Sequence, residues 1–312
     1  MNKSEYRLLC KAQSLPVFMQ AWWWDALCGD AWDVLLVKDS QQRIAAALPY
    51  RVRRHIGFSL MDSPPFTVYT GPYIAPSGSE KQYNIYGVQH RYLSEIFELA
   101  KAKNININLQ LLPSIDNPIA LRQLGFRISH RFTYIIRASD EATLWANLNR
   151  NVKRNINEAA LSMKVTESQD VAACHKVLSR SFEKNKNAFP IGLSQFSTLH
   201  EACKSNDSSK ILLAHTLDGE VKAAAYLVWD TKYVYLLMSG GAPADLKTGA
   251  LQLLFWSAIK EAQKQGKTLD FDGSMLENVE IIIRAFGGER VPKVLVEYYP
   301  NWIYGLLRAL KG

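Results

Sequence analysis

Residues 269–277 read LDFDGSMLE, and acid–base chemistry is sought here first. Successive side chains of a strand point to opposite faces. Alternation therefore sends Leu269 and Phe271 inward and sets Asp270 and Asp272 on the other face. A carboxylate at the C-terminal end of a strand can take the proton of an attacking amine, so Asp272 is a candidate base and Ser274 a candidate site residue in the same turn. The same letters also have a purely structural reading. Ser274 and Glu277 stand at the S-x-x-E spacing of a capping box, which would start the next helix and leave Asp272 to orient the turn.

Residues 238–254, MSGGAPADLKTGALQLL, read as a strand end, a glycine-rich loop and a helix start near Thr248. The first amides of a helix have no intrahelical acceptor and carry positive partial charge, which suits a pyrophosphate such as that of coenzyme A. The candidates for such a donor site are Ser239, Lys247, Thr248, Gly249, Ala250 and Leu251. Gly249 permits close backbone approach and Lys247 adds charge. The alternative is an ordinary loop with Thr248 as N-cap.

Three further groups could bind substrate. Arg284, in IIIRAFGGE, lies on a helix whose Ile281, Ile282 and Phe286 are expected to be buried. Its guanidinium can grip a phosphate or carboxylate through two parallel hydrogen bonds. It is expected to lean back over the strand end that carries Asp272, unless it is simply a surface arginine. Arg150 and Arg154 lie one helical turn apart and could clamp one anion, although a solvated basic face is the usual outcome of such a run. The segment SPPFTVYTGPYI at 63–74 is stiffened by Pro64, Pro65, Gly71 and Pro72 and is rich in aromatics, with Tyr69 and Gly71 as the candidate contacts. The aromatic run WWWDAL at 22–27 is expected to pack in the core.

The elements that would position these residues come in two sets. VLLVKDSQQRIAAALPYRV from Val34 matches ILLAHTLDGEVKAAAYLVW from Ile211: a strand, a polar turn, then a strand opening on Ile44 or Val221, 177 positions apart. HRYLSEIFELAKAKNININLQLL matches LQLLFWSAIKEAQKQGKTLDFDG, a helix then a strand. LRQLGFRISHRFTYII matches IIRAFGGERVPKVLVEYY, a short helix, a glycine turn and a strand, with Gly125 and Gly287 162 apart. Such ordered recurrence indicates an internal duplication. The longer helix rests on period, with Leu251, Leu254, Phe255, Ala258, Ile259 and Ala262 on one face and Gly266 as its stop. Between the sets, Leu144, Leu148, Val152, Ile156 and Ala160 recur every fourth residue as the buried stripe of a helix. The expected division is therefore 1–138 and 139–312.

TGPYI at 70–74, NRNVKRNINEA at 149–159, LDFDGS at 269–274 and IIRAFGG at 282–288, in this order, resemble the tandem-GNAT (Gcn5-related N-acyltransferase) proteins of the FemAB/FemX type and their acetyltransferase-like relatives. The resemblance implies an α/β (α+β) fold of two GNAT-like domains, each a mixed, largely antiparallel sheet flanked by helices. It also implies that the Y-x-G-P segment lines an acceptor cleft and that a basic residue is frequent at position 284. Fem-type members move an amino acid from aminoacyl-tRNA to a cell-envelope precursor, and other relatives resemble acyl-CoA-dependent N-acyltransferases. The present chain lacks the long charged coiled-coil insertion of the tRNA-dependent members. The leading expectation is thus acyl transfer from acyl-CoA, as co-substrate rather than tightly bound cofactor, to an amine acceptor. The alternatives are an aminoacyl-tRNA-dependent transferase and a non-catalytic GNAT-like binding protein.

Composition bounds these readings. The chain has 312 residues, 48% hydrophobic and 21% charged, with 37 Lys and Arg against 29 Asp and Glu. The resulting +8 favours anionic partners, but no nucleic-acid reading motif occurs. The four cysteines and six histidines show no metal-ligand spacing, so no metal is expected. No signal peptide or apolar stretch of spanning length is present, and a cytoplasmic protein is expected. Peripheral membrane contact through Trp302, Tyr304, Leu306 and Leu307, followed by Arg308 and Lys311, is possible, but core packing of that helix is the favoured expectation.

Overall fold

The computed structural model describes all residues except 1, 116, 184–188, 243–247, 274 and 311–312, together with the side chains of 183 and 309. The described chain forms two compact units, residues 1–131 with 292–312 (unit 1) and residues 132–291 (unit 2).

Unit 1 opens with helices α1 (Asn2–Ala12) and α2 (Ala21–Cys28). Trp23 and Trp24 of α2 are wholly buried, the core role expected of the tryptophan run. An antiparallel set follows: β1 (Asp33–Lys38), β2 (Ile44–His55) and β3 (Phe58–Asp62), with the short β4 (Tyr73–Ile74) also pairing β2. Helix α3 (Gln82–Ala102) buries Leu93, Ile96, Phe97 and Ala100, the 3–4 spacing of one helical face. It leads to β5 (Asn106–Gln110), which runs parallel to β3. The short α4 (Ile119–Gln123) and β6 (Arg127–Ile136) complete the first sequence half.

Unit 2 contains α5 (Glu141–Asn147), α6 (Arg150–Ala160), β7 (Met163–Ser168), α7 (Val171–Glu183) and α8 (Leu193–Ser205). Then come β8 (Ser209–Thr216), β9 (Val221–Trp229), β10 (Tyr233–Gly241), α9 (Ala250–Lys264), β11 (Thr268–Asp270) and α10 (Glu277–Arg284). Strands β7 to β10 form an antiparallel meander, and β11 joins β10 in parallel. The two halves thus repeat the same step: a meander, a helix across it, and a parallel strand at its edge. Between 144 and 160 the single stripe becomes two helices, because Leu148 and Asn149 are extended and the Asn149 side chain caps α6 by accepting from the Asn151 amide. Ala159, rather than Ala160, is the buried residue at its end.

The last strand, β12 (Glu289–Tyr298), and the helix α11 (Trp302–Ala309) follow. Leu295–Tyr298 of β12 pair antiparallel with Ile107–Gln110 of β5 inside unit 1. Ile135 and Ile136 of β6 pair with Asp270 and Leu269 of β11 inside unit 2. Each unit is therefore finished by the strand that the other sequence half supplies. The division at 138/139 read from sequence assigns 292–312 to the second domain, whereas in the structure that segment belongs to unit 1. Among the described residues, no helix is long and apolar enough to cross a membrane.

Candidate functional site

In unit 2 the parallel pairing of β10 with β11 is short. It runs from Tyr233 opposite Thr268 to Tyr235 opposite Asp270 and stops there. β10 continues along β9 as far as Gly241 opposite Ala223, with a bulge between Leu236 and Met238. Residues 236–241 therefore keep β9 on one edge and are not matched by β11 on the other. A bulge bends and twists its strand, and here it lies at the start of the unmatched stretch.

Helix α9 begins beyond this stretch. Leu253 N donates to Gly249 O, so the amides of Ala250, Leu251 and Gln252 precede the first intrahelical bond. Gly249 is the N-cap in the left-handed region, at φ +80°. A Cβ there would stand 2.6 Å from the Asn155 carbonyl oxygen and 3.1 Å from Ala159 Cβ, so only glycine lets the helix start seat against α6. Ala250 is wholly buried, Leu251 half-buried and Thr248 exposed; the N-cap position is taken by Gly249 rather than Thr248. Gln252 Oε1 is buried and has no hydrogen-bond partner among the described residues. Ser239 is half-buried on β10 opposite Ala225. Lys247 lies outside the described residues.

At the end of β11, Leu269 and Phe271 are buried as alternation requires, but Asp270 is only 2% exposed as well, because both faces of the sheet are covered at this point. Its Oδ1 accepts from Thr133 Oγ1 at 2.5 Å and from the Asp272 amide at 2.8 Å. Asp270 thereby fixes the turn that carries Asp272. Asp272 and Gly273 follow with φ +59° and +67°. A Cβ on Gly273 would stand 2.1 Å from the Phe132 carbonyl oxygen, so the turn lies hard against β6. A non-glycine residue held left-handed costs about 1–3 kcal/mol and is concentrated at functional positions. Sequence reading chose Asp272 and passed over Asp270, whose signal was the period-2 pattern itself. Ser274 lies outside the described residues. Helix α10 starts at Glu277 with Leu276 as N-cap, and the expected Ser274–Glu277 capping box falls on a residue outside the described ones.

The basic candidates are dispersed. Arg284 is 61% exposed in its side chain and reaches back one turn to Glu280 at 3.7 Å. Glu280 also accepts from the Tyr134 hydroxyl, and that hydrogen bond, with burial, raises the Tyr134 pKa. Of the expected apolar positions, Phe286, just past α10, is buried and Ile282 half-buried, but Ile281 is exposed and Ile283 is the buried residue of the helix. Arg150 and Arg154 are exposed, and Arg154 turns to Glu158 at 3.7 Å; they form a solvated face rather than a clamp.

In unit 1 the 67–74 segment faces inward. Tyr69 is 1% exposed, tilted against Phe18 with centroids 6.3 Å apart, and Lys293 Nζ lies 5.0 Å from its ring centre. It therefore has no surface to offer an acceptor, contrary to the contact role expected of it. Trp23 Nε1 donates to Thr67 Oγ1 at 2.9 Å, and Gln110 Nε2 to Val68 O at 2.8 Å. Gly71 has φ +111°, and a Cβ there would meet Met19 Cε at 3.0 Å. Packing explains this segment.

Nucleophilic cysteine chemistry has no support. Burial pushes the thiols of Cys174 and Cys203 up to about 12 and that of Cys28 to about 11, which keeps them protonated at neutral pH. Among the described residues, no group of three or more His, Cys, Asp or Glu could hold a metal ion.

Residues 144–274 match the family described as Acetyltransferase (GNAT) domain. No curated protein sequence matches the chain. Among solved structures the chain is similar to FemX, with TM-score 0.69 and 12% identity over 98% of each chain. It is also similar to the C-terminal domain of a putative lysylphosphatidylglycerol synthetase from Agrobacterium fabrum (TM-score 0.58, 12% identity, 99% of this chain and 96% of that one). A tandem GNAT protein from the clavulanic acid biosynthesis pathway matches at TM-score 0.52 and 10% identity, over 96% and 94%. At these identities the likeness is one of fold. Residues 144–274 thus match a GNAT acetyltransferase family model, in a chain that shares its fold with FemX and a tandem GNAT protein.

Proposed function

We propose that unit 2 binds an acyl-CoA and transfers its acyl group to an amine. The observation that carries this is the parting of β10 from β11 after Tyr235 and Asp270, beside a helix start held close by Gly249. An unmatched strand edge offers backbone donors and acceptors to an extended chain, as in strand addition. The two amides of a pantetheine arm suit that edge, and its pyrophosphate suits the first amides of α9. Gln252 Oε1, buried without a partner among the described residues, is an acceptor to which a ligand donor can bind.

The chemistry is then mostly positional. The amine attacks the thioester carbonyl, the carbonyl oxygen takes negative charge, and the C–S bond breaks to release the thiol. An amide of the β10 edge would stabilise the oxyanion, and approach geometry supplies much of the rest. Asp272, in the turn just past β11, is the base that would take the amine proton. That proton balances the one the departing thiolate acquires. An aminoacyl-tRNA donor is the alternative, and the missing charged insertion weighs against it. A binding protein without turnover is the other alternative. The four free thiols fit a reducing compartment, and we place the protein in the cytoplasm.

Calorimetry and thermal shift with acetyl-CoA, longer acyl-CoAs and CoA, followed by thiol release with a panel of amines, test the proposal. A ligand that binds only the native state raises the melting temperature. Absence of heat and of any shift with every thioester rejects it. A response to charged tRNA alone selects the alternative donor. Binding of thioester without thiol release, across all amines, selects the non-catalytic reading.

A further inference from the structure

Helix α11 is packed the wrong way round for an ordinary surface helix. Its inner face is carried by Tyr304, 1% exposed, whose ring lies 5.7, 5.6 and 5.3 Å from those of His55, Phe58 and Tyr299. Its hydroxyl is 2.8 Å from His55 Nδ1. Arg308 also turns inward, toward Glu297 at 3.8 Å. The outer face is apolar: Trp302 is 75% exposed, Ile303 43%, Leu306 54% and Leu310, just past the helix end, 76%. At 100° per residue these four fall in one arc of about 100°. Core packing, the favoured expectation from sequence, holds for Tyr304 alone. A contiguous exposed apolar face of this kind marks an interaction site.

Charge identifies the partner. Unit 1 holds 18 Lys and Arg against 11 Asp and Glu, a surplus of seven out of the chain's eight. The β2–β3 hairpin that seats Tyr304 carries exposed Arg54 and, at its tip, Ile56, which is 41% exposed. Arg54 lines a hollow of about 310 Å³ with Asn104, Asn106 and Asn301, at the start of α11. The acidic groups facing this region are already paired: Asp62 with Arg51 and Arg53, and Glu297 with Arg308. A helix with tryptophan and leucine on one face, beside a net-basic surface, has the composition of one that lies in the plane of a lipid interface.

We propose that unit 1 docks on an anionic lipid bilayer, with α11 in the interface plane and Trp302, Ile303, Leu306 and Leu310 among the acyl chains. The hollow at Arg54 then faces the phosphodiester headgroups. This inference does not depend on the acyl donor, since it concerns other residues and another unit.

Flotation of the full chain with vesicles tests it, comparing phosphatidylcholine alone with phosphatidylcholine plus phosphatidylglycerol. The protein floats with the anionic vesicles and stays behind with the neutral ones, and added salt weakens capture. The triple variant Trp302→Ser, Leu306→Ser, Leu310→Ser loses at least about ten-fold in partitioning, from the apolar area it no longer inserts. Its circular dichroism and melting temperature stay those of wild type, because the replaced side chains point outward. Trp302→Ser alone shows a smaller loss in the same direction. Tyr83→Ser, removing a side chain 88% exposed on α3, leaves flotation unchanged. No flotation with anionic vesicles, or equal flotation of wild type and both Trp302 variants, overturns the proposal. A concentration-dependent dimer in light scattering that the triple variant abolishes also overturns it, in favour of a second copy of the chain.

Discussion

The Thr133–Asp270 contact offers the sharpest test of how unit 2 holds its candidate site. Both side chains are buried, at 1% and 2% exposure. Asp270 Oδ1 accepts from Thr133 Oγ1 and from the Asp272 amide. Thr133→Val keeps the shape and deletes one donor to a carboxylate, a bond worth about 1.5–3 kcal/mol. Asp270→Asn keeps an acceptor for both donors but makes both bonds neutral, losing about 1 kcal/mol each by the same scale. Because the two residues share one bond, the double variant should fall short of the sum by about 1 kcal/mol. Urea unfolding followed by circular dichroism measures all four proteins. A second readout separates function from stability. With the turn loosened, Asp270→Asn should lower kcat for acyl transfer while thioester affinity by calorimetry holds. Single variants within about 0.5 kcal/mol of wild type, or a strictly additive double, would refute the idea that Asp270 fixes the Asp272 turn.

Three other outcomes are expected. Gly249→Ala must place a Cβ 2.6 Å from Asn155 O at φ +80°, so it should cost more than about 1–2 kcal/mol from the left-handed backbone alone and weaken acyl-CoA binding; an unchanged melting temperature would show that the α9 start is not tightly seated. Burial pushes the Glu261 carboxyl up, but hydrogen bonds from Gln265 and Lys210 outweigh it and hold the pKa below 4.5. A depressed carboxyl contributes stability above 4.5 that is lost as pH falls through the lowered value, so acid titration should destabilise wild type more steeply than Glu261→Gln. Arg284→Ala should leave stability within about 0.5 kcal/mol, as its contact with Glu280 is an exposed i,i+4 pair; a ten-fold loss of affinity for an anionic ligand, measured by calorimetry, would restore the anion site expected from sequence.

What sequence made legible was local. The period of α9, buried at Leu254, Phe255, Ala258, Ile259 and Ala262, follows from 3.6 residues per turn, and the strands expected to open on Ile44 and Val221 are β2 and β9. Gly249 was singled out for close backbone approach, and the approach the structure shows is to Asn155 of α6. What failed was set by distant neighbours. Asp270 was placed on the face opposite Leu269 and Phe271, and alternation says which side a residue takes, not whether that side is covered. Tyr69 was read as a contact because an aromatic loop looks the same whether Phe18 and Lys293 close over it or not. The outer face of α11 was assigned to a core because its apolar residues are spaced as a core helix's would be.

The domain division failed for a deeper reason. An internal repeat records the order of elements, and order does not name partners. β6 and β12 occupy equivalent places in the two halves, and each pairs in the unit built mainly from the other half: β6 through Ile135 and Ile136 with β11, β12 through Leu295–Tyr298 with β5. Because the halves are alike, either strand has much the same pattern to offer either sheet edge, and no property of the repeat distinguishes pairing within a half from exchange. The exchange is consequential for the site. The β6 residues that enter unit 2 bring Thr133 to Asp270, Tyr134 to Glu280, and the Phe132 carbonyl against Gly273. The turn bearing Asp272 is therefore held by residues of the first sequence half. A chain cut at the 138/139 boundary read from sequence would leave these β6 residues outside the expressed C-terminal piece, so the catalytic geometry proposed for unit 2 depends on the first half being present.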